Sequence, residues 1–248
     1  MLYRVIPLLL LCLVSISLPA ALPATADLSG VLLRNVRHGF VDYDGIRADP
    51  AFERYVSSLA NTRHDDLDDQ ATHLAFLINA YNALAIQGIL NGYSPSSIFG
   101  RYSYFKRRKY NLLGTQTTLD ELENRQLRLL GDPRVHFAIV CASLSCPRLS
   151  SQVYSADQLE SELDAAARAF ANDGTRNRFD VSRKIAFLSG IFDRYQADFS
   201  QSAGSVQKYL ARYVSDPAAA AILAQDGFAV RYVDDDWDLN GVYRGKPR

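Results

Sequence analysis

The chain concentrates its reactive side chains in one segment, RVHFAIVCASLSCPRL, which holds His136, Cys141 and Cys146. A histidine can act as a general base, and a cysteine becomes a nucleophile when its surroundings lower its pKa. Residues 135–140 are a short apolar run with polar flanks, a pattern that predicts a buried strand. Because strand side chains alternate between faces, a strand through Cys141 would point His136 and Cys141 to opposite sides. The spacing therefore favours His136 as base and Cys146, on a following loop, as nucleophile.

The same residues also fit structural roles. Two cysteines separated by four residues form a disulfide readily in an oxidising compartment. Such a small loop would stabilise the fold by less than the ~3 kcal/mol expected for fifteen residues. His136 would then be a hydrogen-bonded core imidazole. The residues leave both alternatives open, and Cys141, Ser143 and Ser145 are further candidates for ligand binding in this loop.

Four more polar side chains are candidate site residues. Asn79, Tyr81 and Asn82 interrupt the apolar run LAFLINAYNALAI. A buried amide costs about 1–3 kcal/mol unless it is bonded, so these groups must meet backbone or a ligand. We favour the pinning of a neighbouring loop over substrate contact. Glu123 is the candidate to orient His136 or to bind a cation, and its alternative is a surface carboxylate.

Composition places the chain among ordinary globular proteins. Its 248 residues carry 27 Lys plus Arg against 27 Asp plus Glu, and 48% are hydrophobic. This balance argues against a disordered chain and removes the electrostatic case for nucleic-acid binding. No cofactor or metal site is predicted. Asp236, Asp238 and Asn240 match only the first half of a calcium loop, whose twelfth position would be Pro247 instead of a glutamate.

The N-terminus predicts export. Residues 1–26 combine Arg4, an apolar run and a small-residue end at Ala24-Thr25-Ala26, which is typical of a secretory signal peptide cleaved before Asp27. The run is shorter than the roughly 20 residues that span a bilayer. Cleavage would remove Cys12 and leave one cysteine pair. We therefore expect a periplasmic or secreted protein without stable membrane insertion.

The remaining chain predicts an α+β fold. Apolar residues recur with helical spacing, and capping boxes begin at Thr118 and Ser155. The predicted helices cover residues 52–59, 67–91, 118–130, 155–171, 191–199, 205–214 and 216–225. The other predicted strands cover residues 178–181, 184–188 and 228–233, with a further hairpin turn near residues 113–114. Because helices outnumber strands without βαβ alternation, we expect a single domain over residues 27–248 with a small, mainly antiparallel sheet.

The order of several segments resembles the family called domain of unknown function 547, found in bacterial exported proteins and in eukaryotic modules. These segments are VDYDGIRADP, LAFLINAYNALAI, LDELENRQLR, DPRVHFAIVCASLSCPRL, FLSGIFDRYQADF and DDDWDLN. One position departs from the family pattern, because Asn124 stands where a histidine commonly follows the helix glutamate. The resemblance implies a domain and no activity. A weaker analogy relates the central helix and the His136 segment to a papain-like or transglutaminase-like core.

Two functions follow as hypotheses. The first is a thiol-dependent hydrolase or transferase acting on peptide or amide substrates, with Cys146 as nucleophile, His136 as base and Glu123 as orienting residue. The second is a non-catalytic periplasmic binding or scaffold domain with a disulfide between Cys141 and Cys146. Either would take a peptide or small-molecule ligand. A dithiol redox protein is disfavoured because the spacing is not C-x-x-C.

Overall fold

The computed structural model describes residues 25–245 of the chain. Most of the predicted signal peptide lies outside these residues. The described part begins with helix α1, Thr25–Asn35, and the ion pair of its Asp27 with Arg54 ties it to helix α3. A cut before Asp27 would leave that ion pair intact.

The fold is α+β, as predicted. The twelve α-helices of the described residues are α1 (Thr25–Asn35), α2 (Tyr43–Ala48), α3 (Pro50–Leu59), α4 (Gln70–Leu90), α5 (Ile98–Tyr102), α6 (Leu119–Leu122), α7 (Val135–Ala138), α8 (Leu159–Ala171), α9 (Ile191–Arg194), α10 (Gln196–Ala203), α11 (Val206–Leu210) and α12 (Pro217–Leu223). The strands are β1 (Val36–Arg37), β2 (Phe40–Asp42), β3 (Tyr110–Leu112), β4 (Thr115–Thr117), β5 (Arg178–Asp180), β6 (Ile185–Ser189), β7 (Ala229–Val233) and β8 (Gly241–Val242).

Helix α4 is central, as its sequence predicts. The Asp69 side chain caps it by accepting a hydrogen bond from the backbone N of Thr72 at 2.9 Å. The helix ends before Gly92, whose φ of 84° suits a residue without Cβ. By length and composition α4 could cross a membrane, but 83% of its apolar window is buried within the fold. Its apolar surface is therefore used for core packing.

The strands form three small sheets instead of the single sheet expected. Their orders are β1-β2-β8, β3-β4 and β5-β6-β7. The predicted hairpin turn near residues 113–114 is confirmed by antiparallel pairing of β3 with β4. Strands β5 and β6 are also antiparallel, whereas β7 pairs with β6 in parallel over Ile185 to Ser189. The parallel pairing follows from the helices α9 to α12, which return the chain to the same end of the sheet.

The strand predicted over residues 135–140 is wrong. Residues Val135–Ala138 form the short helix α7, and the chain becomes extended only at Ile139, with φ −93° and ψ 147°. Asp132 and Pro133 favour this turn, since the Asp132 side chain accepts a hydrogen bond from the backbone N of Arg134 at 2.9 Å. The face argument that separated His136 from Cys141 therefore does not hold.

One of the two predicted capping boxes is confirmed. Thr118 and Glu121 bond each other's backbone at the start of α6. Ser155 instead precedes a 3₁₀ turn without a side-chain cap, and its backbone N donates to the Glu162 carboxylate at 2.9 Å. Helix α8 begins only at Leu159.

The hydrophobic residues pack in two clusters that share α7 and α8. The larger cluster surrounds α4 and includes Val135 and Leu163. The smaller one holds Phe137 and Phe170 together with the helices α9 to α12. Because α7 and α8 contribute to both clusters, the His136 segment lies at their junction.

Candidate functional site

A cavity of about 500 Å³ opens where the two hydrophobic clusters meet. Four of the predicted site residues line it: Tyr81, Glu123, His136 and Cys141. Its size is within the range of small-molecule sites. The cavity is therefore the candidate site.

Asn79 and Asn82 do not line the cavity, and Asn82 holds one of its walls. The Asn82 amide donates to the Ala138 carbonyl at 3.0 Å and accepts from the Val140 backbone N at 3.0 Å. Asn79 makes the same pair of bonds with both backbone groups of Tyr154, at 2.7 and 2.9 Å. Each amide thus supplies the backbone hydrogen bonds that a neighbouring strand would otherwise supply. This is the loop pinning expected from the sequence.

Glu123 presents a buried carboxyl to the cavity. It is 8% exposed and accepts hydrogen bonds from the hydroxyls of Tyr195 and Tyr81. Burial raises the pKa of Glu123 more than the Tyr195 hydrogen bond and the Arg128 charge lower it. The carboxyl is thus biased toward its protonated form, in which it can donate as well as accept a hydrogen bond.

The backbone at Glu123 is unusual. Helix α6 continues as a π-helical segment over Glu123–Leu127, and a second π segment, Ser103–Arg107, follows α5. Residues of both segments line the same cavity. Single π turns are rare and frequently lie at functional sites, because they turn side chains away from the regular helical face.

His136 bonds Asp198 and not a cysteine. Its Nε2 lies 2.8 Å from the Asp198 carboxylate, and its ring stacks on Tyr195 with centroids 3.8 Å apart. Burial lowers the pKa of His136 to about 4, although Asp198 acts in the opposite direction. Arg128 donates to both Asp198 oxygens at 2.8 Å, and this contact is the main cause that lowers the pKa of Asp198.

The hydrogen bonds define the His136 tautomer. An ionised Asp198 accepts from Nε2–H of the neutral ring, so Nδ1 carries the lone pair. Within the described residues, Nδ1 is buried and has no hydrogen-bond partner. Glu123, expected to orient His136, instead contacts it only through Tyr195, whose hydroxyl bonds Glu123 and whose ring stacks on His136.

The cysteines are joined. Cys141 and Cys146 form a disulfide with Cα atoms 5.8 Å apart. Cys141 is half-buried and lines the cavity, whereas Cys146 is 2% exposed and is not among the lining residues. The structure thus brings His136 and Cys141 to one cavity and places the expected nucleophile, Cys146, behind it.

The disulfide loop is clamped by the C-terminal tail. Ser143 pairs with Leu239 in an antiparallel bridge, and its hydroxyl lies 3.2 Å from the Cys146 sulfur. The backbone N of Ser145 donates to Asp236 at 3.1 Å. Neither serine lines the cavity. The acidic tail that resembles half a calcium loop therefore holds the disulfide loop in place. No cluster of His, Cys, Asp and Glu side chains in residues 25–245 is arranged to hold a metal ion.

Cations and aromatic rings form the cavity rim. Three of the four lining cations are paired: Lys106 with Asp120, Arg128 with Asp198 and Arg194 with Asp235. The fourth, Arg101, stacks over the ring of Trp237 at 4.6 Å. Among the described residues no carboxylate forms an ion pair with Arg101, so its charge is available to an anion.

Sequence reasoning missed five residues that complete this site. Asp198 and Tyr195 belong to FLSGIFDRYQADF, and Trp237 belongs to DDDWDLN, segments that carried the family resemblance without suggesting a role. Arg128 likewise ends the segment LDELENRQLR, whereas Arg101 lies in none of these segments. Asp198 lies 62 positions after His136, which is why local spacing could not pair them.

Comparison with known proteins gives a family and no activity. Residues 65–171 match the model of a family described as "Protein of unknown function, DUF547". The match covers α4, Glu123, His136, the disulfide loop and α8. No curated protein and no solved structure matches the chain. The expected papain-like or transglutaminase-like core stays a prediction.

Proposed function

We propose from the site itself that the protein, whose residues 65–171 match the model of the DUF547 family and whose family description assigns no activity, binds a short peptide or small molecule carrying a carboxylate. The observation that carries the proposal is a cavity of about 500 Å³ with an unpaired cation at its rim and a buried, protonatable carboxyl in its wall. In this function the disulfide is structural and no covalent step occurs.

The cavity offers one partner for each part of such a ligand. The Arg101 guanidinium can take the carboxylate in a bidentate contact. Glu123 can accept an amide N–H group of the ligand. Phe105 and Trp237, with ring centroids 6.5 Å apart, supply apolar surface at the rim. A peptide end combines all three features.

Calorimetry with trialanine and trialanine amide tests this proposal. The free acid should bind about ten-fold or more tightly than the amide, because a hydrogen bond to a charged group contributes roughly 1.5–3 kcal/mol. Arg101→Gln should remove the difference between the two peptides. Arg63→Gln, an exposed arginine away from the cavity, is the matched control and should bind as the parent does. Equal binding of acid and amide by the parent would refute the carboxylate contact.

A thiol-dependent hydrolase or transferase is the second candidate, because Cys141 shares the cavity with His136. It requires an external dithiol that reduces the disulfide and is itself oxidised. The freed thiolate would attack an amide carbonyl and expel the amine, which takes up a proton. Water would then release the acid from the thioester. In this version the nucleophile is Cys141 and not Cys146.

Amide hydrolysis measured with and without a dithiol separates the two candidates. Alkylation of the denatured, unreduced protein first establishes the starting state: it should label Cys12, where that residue is retained, and leave Cys141 and Cys146 unlabelled. Hydrolysis that appears only with the dithiol and that Cys141→Ser abolishes would favour the hydrolase, whereas no hydrolysis by the reduced protein would favour the binding protein.

We further propose that the protein is exported to the periplasm or secreted. The signal-like N-terminal sequence and the disulfide both support this location. The intact mass of protein from the extracytoplasmic fraction should correspond to a chain that begins at Asp27. A full-length chain in the cytoplasm would contradict this proposal.

A further inference from the structure

Helix α5 exposes three large apolar side chains side by side. Ile98 is 75% exposed, Phe99 87% and Tyr102 58%. Ser97 caps the helix by accepting from the backbone N of Gly100 at 3.0 Å, and the buried Tyr104 anchors the following turn to α4 through the Ala85 carbonyl at 2.8 Å. The apolar side chains are therefore presented by a fixed element, although their burial would be favourable.

Five cations lie in the same segment as these apolar residues. They are Arg101, Lys106, Arg107, Arg108 and Lys109. Two carboxylates offset them, because Lys106 pairs with Asp120 at 3.5 Å and Lys109 with Glu121 at 3.0 Å. Arg107 is exposed and has no ion-pair partner within residues 25–245. The segment thus has a positive excess in a protein whose formal net charge is zero.

We propose that this basic-apolar patch, formed by residues 98–109, docks peripherally on an anionic lipid bilayer. Interfacial elements insert aromatic and aliphatic side chains beneath the headgroups while nearby Lys and Arg contact anionic lipids. Ile98 and Phe99 are the inserting residues, Tyr102 lies at the headgroup level, and Arg107 contacts lipid phosphate. Charge complementarity selects an anionic surface over a neutral one.

Docking would also turn the mouth of the cavity toward the bilayer. Three residues of the patch line the cavity rim, namely Arg101, Phe105 and Lys106. A bilayer bound to the patch would therefore adjoin the mouth of the candidate site. The inference does not depend on the ligand proposed for that site.

Vesicle co-sedimentation tests the proposal with the full chain. The parent should bind vesicles of equal parts phosphatidylglycerol and phosphatidylcholine, and should bind pure phosphatidylcholine much more weakly. An Ile98→Ser/Phe99→Ser variant should lose about ten-fold or more in partition coefficient, since each side chain loses apolar burial. Arg107→Gln should lose about five-fold on anionic vesicles only.

Leu129→Ser is the matched control, because Leu129 is 76% exposed but lies outside the patch. It should bind as the parent does. All variants share residues 1–24, so any lipid affinity of that apolar segment cancels in the comparison. Unchanged far-ultraviolet circular dichroism confirms that each variant folds. Equal partition of the parent and the double variant, or an Arg107→Gln effect of the same size on neutral and anionic vesicles, would overturn the proposal. Failure to bind any vesicle would also overturn it and would turn attention to an acidic protein partner.

Discussion

At the scale of single residues, the site depends on two titratable groups whose pKa values burial shifts in the direction that favours the neutral form. His136 is 2% exposed and donates to Asp198, while Glu123 is 8% exposed and accepts from two tyrosines. In its neutral form Glu123 can hydrogen-bond a ligand without the cost of burying an unpaired charge, whereas His136 is engaged with Asp198. Selectivity for an anionic ligand comes instead from the cation at the rim, Arg101.

Acid should destabilise the protein through His136. Its folded pKa of about 4 lies below the ordinary value, so the unfolded chain takes up a proton first as the pH falls. This loss in the free energy of unfolding is absent above about pH 6.5 and grows toward pH 4, where it reaches up to about 3 kcal/mol. Urea unfolding across this range should show the loss, and His136→Gln should reduce it. His64→Asn, at an exposed histidine, should leave it unchanged.

Glu123→Gln tests the second group. The raised pKa of Glu123 means that the folded state resists ionisation, so the parent loses stability as the pH rises from about 4.5 through the folded pKa. Glutamine fills the same space and cannot ionise. The free energy of unfolding of Glu123→Gln should therefore exceed that of the parent progressively more as the pH rises through this window. A constant difference across it would contradict a raised pKa.

At the scale of elements, two asparagines of α4 hold neighbouring segments in place, and the segment held by Asn82 forms a wall of the cavity. Asn82 satisfies Ala138 and Val140, and Asn79 satisfies both backbone groups of Tyr154. This arrangement gives a buried helix a specific orientation relative to its loops. Apolar packing alone would specify that orientation less uniquely.

Asn82→Ala should lower the free energy of unfolding by about 2–4 kcal/mol, because it leaves a buried carbonyl and a buried N–H unpaired. Urea denaturation measures the loss. Asn111→Ala, at an exposed asparagine of β3, should change stability by less than about 0.5 kcal/mol. Equal losses in the two variants would show that the Asn82 bonds contribute little.

The sequence predicted those elements whose signals are local. The period of α4, the Thr118 capping box and the β3–β4 turn are each set by neighbouring residues. The run over residues 135–140 was not predictable in this way. Four to six apolar residues suit a buried strand or a buried turn equally, and the bonds that fix them come from Asn82, 56 and 58 positions earlier.

At the scale of the whole molecule, the site is assembled from distant parts of the chain. Tyr81 comes from α4, Glu123 and His136 follow it, and Tyr195 and Trp237 come from the C-terminal third. The residues that sequence reasoning grouped were close in the chain, namely His136, Cys141 and Cys146. The two cysteines do pair with each other. The partners of His136 are Asp198 and Tyr195, which depend on the packing of α9 and α10 against α7 and could not be read from spacing.

Reduction of the disulfide should cost less than about 3 kcal/mol, because the loop it closes is short. The tail clamp should keep the loop in place through the Ser143–Leu239 bridge and the Ser145 backbone bond. Urea unfolding with and without a dithiol measures this cost, and the Cys141→Ala/Cys146→Ala variant should match the reduced parent. A loss large enough to unfold the protein would assign the disulfide a greater structural role.

The central claim is that the cavity lined by Trp237 is the ligand site, and the indole resonance of Trp237 tests it most directly. The chain has one tryptophan, so the ¹H–¹⁵N spectrum contains one indole signal. Titration with trialanine should shift this signal saturably, trialanine amide should shift it only at higher concentration, and Arg101→Gln should remove the difference. An indole signal that stays unmoved at saturating trialanine would contradict the account.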